Sequence, residues 1–140
     1  MPEDNKSIAR RIYNEVWRVN DASKVDTFFA ANYVNHPELT GLPTGREGVK
    51  TSVKMFASAL SNVNWVVEDM IAEGDKVVIR WSMTAKQTGE FIGVPATGKQ
   101  LKSTGINIYR FEGGKVVEGW VEYNSLEMMQ QLGVVPTPGG

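Results

Sequence analysis

The spacing of apolar residues changes from helical to alternating at Ser61, and that change fixes the class of fold this chain can adopt. Before Ser61 the spacing is helical. Ile8, Ile12, Val16 and Val19 recur on one face of residues 4–19, and Tyr13 and Trp17 form an aromatic pair at i, i+4. Asn20-Asp21 ends this segment, and Asp21 caps a short second helix running to about Ala30 that buries Val25, Phe28 and Phe29. The stretch "NYVNHPELTGLPTG" (32–45) contains two prolines and two glycines, which predicts a short extended piece followed by a loop. A third helix follows from about Arg46 to Leu60, capped near Thr44, with Val49, Val53, Phe56 and Leu60 on one side. After Ser61 the period is two. Residues 63–72, 76–87, 99–111 and 115–124 read as strands, and Glu73-Gly74-Asp75 and Glu112-Gly113-Gly114 supply tight antiparallel turns. A last helix from Ser125 to about Leu132 stops at Gly133, and the tail "VVPTPGG" is expected to be loose. Helices first and strands later describe an α+β chain: one domain over 1–140 with an ordered core at about 4–134. Its helices are expected to pack on one face of a strongly curved antiparallel sheet and to leave a cavity between the layers.

Charge and composition narrow the chemistry. Fifteen basic and sixteen acidic side chains leave a net charge of −1, with no concentrated basic surface for nucleic acid or an anionic membrane. No run of 18 apolar residues and no charged-then-apolar leader occurs, so a soluble, unprocessed, cytoplasmic protein is expected. Cysteine is absent and His36 is the only histidine, which excludes thiol nucleophiles and the usual zinc sites; neither metal nor cofactor is expected. "TGREGVK" lacks the spacing of a phosphate loop and does not follow a strand.

Five segments, "RIYNEVWRVND", "NYVNHPELTGLPTGREGV", "EDMIAEGDKVVIRW", "TGEFIGVPATGK" and "GINIYRFEGGKVVEGW", together resemble the SnoaL-like polyketide cyclases from about Ile8 to Leu132. That family lies within the cone-shaped nuclear-transport-factor-2-like superfamily. The resemblance implies a cone-shaped fold and a cofactor-free intramolecular aldol closure of a polyketide ester. The superfamily also includes isomerases, epoxide hydrolases and non-catalytic binders. The family's proton-exchanging acid commonly follows a strand tryptophan, in a pattern like Glu-His-Trp-Asp. Here the matching run is Glu118-Gly119-Trp120-Val121, so Val121 stands at the aspartate position. If Val121 faces the pocket, strand alternation turns Gly119 and Tyr123 inward and Glu118, Trp120 and Glu122 outward; a bulge near Gly119 would reverse this.

Arg80 interrupts the apolar run "VVIRWSM" on the face shared with Val78, Ser82 and Thr84. Pattern alone turns that face to water, whereas the resemblance turns Arg80 into the cavity, as in the superfamily's epoxide hydrolases. The two aspartates of those enzymes match Ser82 and Val121 here, which argues against epoxide hydrolysis. Arg80 remains a candidate for binding an enolate or ester oxygen. His36 is the one side chain suited to proton transfer near neutrality, or else a loop histidine bonded to backbone. Asn107 is a mid-strand amide that needs a partner, from the protein or from a ligand carbonyl. Tyr13, Trp17, Tyr33 and Tyr123 are core residues or, by the resemblance, the aromatic lining of a flat ligand's site.

Two functions are therefore carried forward. In the first, a cyclase-type protein uses His36 and Arg80 on a hydrophobic substrate held by Tyr13, Trp17, Tyr33, Ser82, Asn107, Val121 and Tyr123. In the second, a non-catalytic protein holds a hydrophobic or aromatic small molecule in the same cavity. Ketosteroid isomerisation would need a pocket base that has no obvious position. The apolar set Ile79, Trp81 and Trp120 is expected on the outer sheet face, where it would form a homodimer.

Overall fold

The structure is a computed structural model, and it describes residues 4–38, 41–91 and 93–136. Helix α1 (Asn5–Ile12) starts where the Asp4 side chain accepts a hydrogen bond from the Ser7 amide at 2.8 Å. Such a cap is worth about 1 kcal/mol. The helix continues as a widened π turn over Tyr13–Trp17, closed by the Arg18 amide donating to the Tyr13 carbonyl at 2.9 Å. A 3₁₀ turn (Ala22–Lys24) capped by Asp21 leads into α2 (Val25–Phe28). Helix α3 spans Gly45–Ala59, and α4 (Ser125–Leu132) is capped by Asn124 and ends at left-handed Gly133.

The strands are β1 (Phe29–His36), β2 (Leu60–Glu73), β3 (Lys76–Gln87), β4 (Gln100–Glu112) and β5 (Lys115–Tyr123), ordered β1-β5-β4-β3-β2 in a single sheet. The α+β class with helices packed on the sheet is as expected, and so are the β2–β3 and β4–β5 hairpins. Three details differ from the sequence reading. The second helix stops at Phe28, because Phe29 and Tyr33 turn inward from a full strand at the sheet edge rather than from a helix and a loop. That strand pairs with β5 in parallel, so the sheet is not wholly antiparallel. β2 also begins at Leu60, directly after α3. Register shifts in β2, between Ser61 and Asn64 and between Val67 and Asp69, are bulges of the kind that bend and twist a sheet. Residues 137–140, the end of the tail expected to be loose, lie outside the described residues.

The helices cover one face of this sheet, and burial shows which. On β3, Val77, Ile79, Trp81, Met83 and Ala85 are buried, while Arg80 and Lys86 are exposed and Val78, Ser82 and Thr84 are partly so. This corrects the expectation that Ile79 and Trp81 lie on the outer face. The most apolar set of the strand is the one that gains from being covered. No helix among the described residues is long and apolar enough to cross a membrane.

Candidate functional site

Register across the strands arranges the inner face in rows. One row runs Trp65–Met83–Ser103, the next Val67–Trp81–Gly105–Tyr123, and the next Met70–Ile79–Asn107–Val121. Directly opposed residues share a face. Val121 therefore lies beside Asn107 on the inner side, while Glu122 opposes Ile106 on the outer side and is exposed. The register shift on β5 falls between Arg110/Phe111 and their partners, before Glu118, and leaves Glu122 outside.

The interior polar groups are organised around Asn107. Its Oδ1 accepts a hydrogen bond from Trp81 Nε1 at 2.6 Å. The indole of Trp81 lies where a β-carbon on Gly105 would collide with it, so the glycine makes this bond possible. Two residues on, along the same face of β4, Tyr109 is fully buried. Burial pushes its hydroxyl up to about 12, and the nearby polar groups of Trp17, Tyr13 and Asn107 moderate that rise. Burial also holds the Tyr13 hydroxyl well above the ordinary range, with Tyr109 adding to the effect. Tyr33 is raised by burial first and by Tyr109 next, and its hydroxyl donates to Asn35 Oδ1 at 2.8 Å. Gly119 admits that hydroxyl, since a β-carbon at 119 would overlap it. These phenols stay protonated at neutral pH, which makes them hydrogen-bond donors and not bases. No Asp, Glu, His, Lys or Arg is buried among the described residues.

Of the residues expected at the site, Tyr13, Trp17, Tyr33, Asn107 and Val121 share the interior, and Tyr123 is on the same face at its open end, 45% exposed. Three do not join them. Arg80 lies on the outer face, where its Nε donates to Asp69 Oδ2 at 2.6 Å. Ser82 is on the same face, donating to Glu68 Oε1 at 2.7 Å. His36 stacks on Trp120 (ring centroids 5.3 Å, 18° between planes), and its Nε2 is 2.8 Å from Glu118 Oε2. The physical reason is strand parity: Arg80 and Ser82 alternate with a β3 set too apolar to be left in water, and His36 opposes the outward Trp120. Pattern alone places Arg80 correctly and the resemblance does not.

Trp65, Tyr109 and Ser103 are interior polar residues that the sequence reading missed. Tyr109 is legible by alternation from Asn107, and Trp65 by alternation within "VNWVVED". The described surface carries two open grooves of about 460 and 520 Å³. One lies along Asp4–Asn14 and Met70, the other between β1 and the start of α3, and neither includes Asn107 or Val121. No group of three or more metal-ligating side chains occurs among the described residues.

Comparison with known proteins agrees with this architecture. The family model for SnoaL-like polyketide cyclases matches residues 7–132. Among solved structures, AclR, a proposed hydroxylase from Streptomyces galilaeus, is 26% identical with a TM-score of 0.82, covering 94% of this chain and 82% of its own. A proposed polyketide cyclase from Acidithiobacillus ferrooxidans is 28% identical with a TM-score of 0.79, covering 96% and 99%. TsrD from Streptomyces laurentii, at 24% identity and a TM-score of 0.83 over 95% and 100%, shares the fold. No curated protein sequence matches significantly.

Proposed function

The chain belongs to the SnoaL-like polyketide cyclases, and from that premise we propose that it promotes ring closure in a flat, carbonyl-bearing, polyketide-type molecule, using neutral hydrogen-bond donors in place of a carboxylate. The observation that carries this reading is the row Asn107–Val121, next to the protonated Tyr109 and Tyr13. In an aldol closure a proton leaves the carbon next to one carbonyl. The resulting enolate carbon then bonds to the second carbonyl carbon, and the new alkoxide takes a proton back. Donors set in a water-poor interior stabilise both oxyanions. The first proton has no carboxylate to receive it, because Val121 stands where the family's acid is expected, so a single water admitted with the substrate takes it and returns it to the alkoxide. General acid–base catalysis typically contributes about 10²–10⁴-fold, and turnover is correspondingly slow. His36 and Arg80, on the outer face, have no part in this chemistry.

Tyr109→Phe tests the role of the donors. It should lower the rate of keto-ester closure by about 10²-fold with little change in the fold. An unchanged rate would remove Tyr109 from the mechanism. The second reading, a binding protein without turnover, is favoured by the absence of any buried acid or imidazole among the described residues. It requires that the protein bind the keto-ester and leave its solution rate unaltered.

The protein is also proposed to pair with a second copy through the outer sheet face, with Trp120 kept from the set the sequence suggested and other residues in place of the buried Ile79 and Trp81. There an apolar row, Ile71–Val78–Ile108–Trp120–His36, crosses all five strands. The Arg80–Asp69 and Arg110–Glu118 ion pairs lie on the same face. Both signs of charge around an apolar stripe suit a self-complementary two-fold contact.

A further inference from the structure

Two side chains on the inner face are buried with a polar atom that no other group satisfies: the Trp65 indole Nε1 and the Ser103 hydroxyl. Trp65 is 6% exposed and Ser103 3%. Both belong to one row, opposing Met83 from either side. Two strand spacings separate their backbones by about 10 Å. Buried polar atoms are rarely left without partners, so two in a single row need an explanation.

The surroundings specify what would satisfy them. Trp65 is enclosed by rings, with centroids at 6.1 Å for Tyr13, 5.8 Å for Trp17, 6.4 Å for Phe56 and 4.9 Å for Trp81. Rings at these separations pack directly on Trp65, so this end of the row is an aromatic wall against which a flat ring can lie. The indole N–H can only donate, so its partner must be an acceptor, whereas the serine hydroxyl accepts either kind of partner. Met83 stands between them in the row and is itself buried, and an unbranched thioether side chain changes rotamer more easily than any other large apolar residue.

We propose that Trp65 and Ser103 are the two polar ends of the ligand seat, and that Met83 swings aside to admit a planar aromatic ketone bearing a second polar group at its far end. This rests on the reading that the interior takes a carbonyl compound, and it adds the ligand's orientation: carbonyl toward β2, second polar group toward β4.

The probe is acetylnaphthol, with acetyl and hydroxyl groups at opposite ends of the naphthalene. Acetylnaphthalene lacks the hydroxyl, and ethylnaphthalene is acetylnaphthalene with the carbonyl reduced to a methylene. The four tryptophans give four indole N–H signals in a nitrogen–proton correlation spectrum, and the Trp65 signal is identified by its loss in Trp65→Phe. Titration with acetylnaphthol should move the Trp65 signal downfield, and ethylnaphthalene should not. Ser103→Ala should weaken acetylnaphthol roughly three- to tenfold and leave acetylnaphthalene unchanged. Met83→Ala should tighten both. Calorimetric binding of acetylnaphthol with a stationary Trp65 signal, or equal weakening of both ketones by Ser103→Ala, would overturn this orientation and leave the proposed function standing. No binding of either ketone to wild type or Met83→Ala would overturn both.

Discussion

Glu118 shows how much of a side chain's role is set by the face it occupies. Its carboxyl is held below the ordinary range first by the Arg110 guanidinium, at 2.9 Å, and then by His36. Because the folded value is depressed, its contribution to stability is complete above its unfolded value of about 4.5 and is lost as pH falls through the folded one. Thermal melts across the acid range should show stability declining below about pH 4.5, with a shallower slope for Glu118→Gln. Equal slopes would mean that the network linking β1, β4 and β5 does not couple to folding. Glu118, three residues before Val121, is thus an outer-face structural residue, and Glu122, directly after Val121, lies on the outer side as well. Val121 itself, on the inner side opposite Asn107, cannot titrate.

At the scale of elements, the helices and hairpins were legible because each rests on a local signal. α1 has its helical apolar spacing and an i, i+4 aromatic pair, and β2–β3 and β4–β5 have alternation with glycine turns between them. β1 was only partly legible. Its pairing with β5 is parallel and joins segments far apart in sequence, and no local pattern encodes such a contact. The candidate site divides in the same way. Asn107 and Val121 could be placed by counting alternate residues from one another's strands. The resemblance turns Arg80, and with it Ser82, inward against the local pattern, and chemistry alone makes His36 a proton-transfer candidate; all three are outside. Trp65 and Ser103 matter through their shared row with Met83, and row membership depends on inter-strand register that one sequence does not display.

At the scale of the whole molecule, one sheet separates two surfaces of opposite character. The inner face is aromatic with neutral donors, and the outer face is an apolar stripe bordered by ion pairs. Ile106 is 45% exposed on the outer face, beside that stripe. Light scattering coupled to size exclusion should give a dimer mass for wild type and a monomer mass for Ile106→Glu. A monomeric wild type would show that the stripe pairs with nothing at the concentrations tested. The account as a whole depends on an interior that offers donors without a base. The most direct measurement is the rate of keto-ester ring closure by Val121→Asp beside wild type, since that substitution puts a carboxyl group next to Asn107. We predict a slow wild-type rate that the aspartate raises by about 10²–10⁴-fold, with a pH dependence that tracks its ionisation. A wild-type rate already as fast as the variant's, or a variant that binds the ester and gains nothing, would contradict the account.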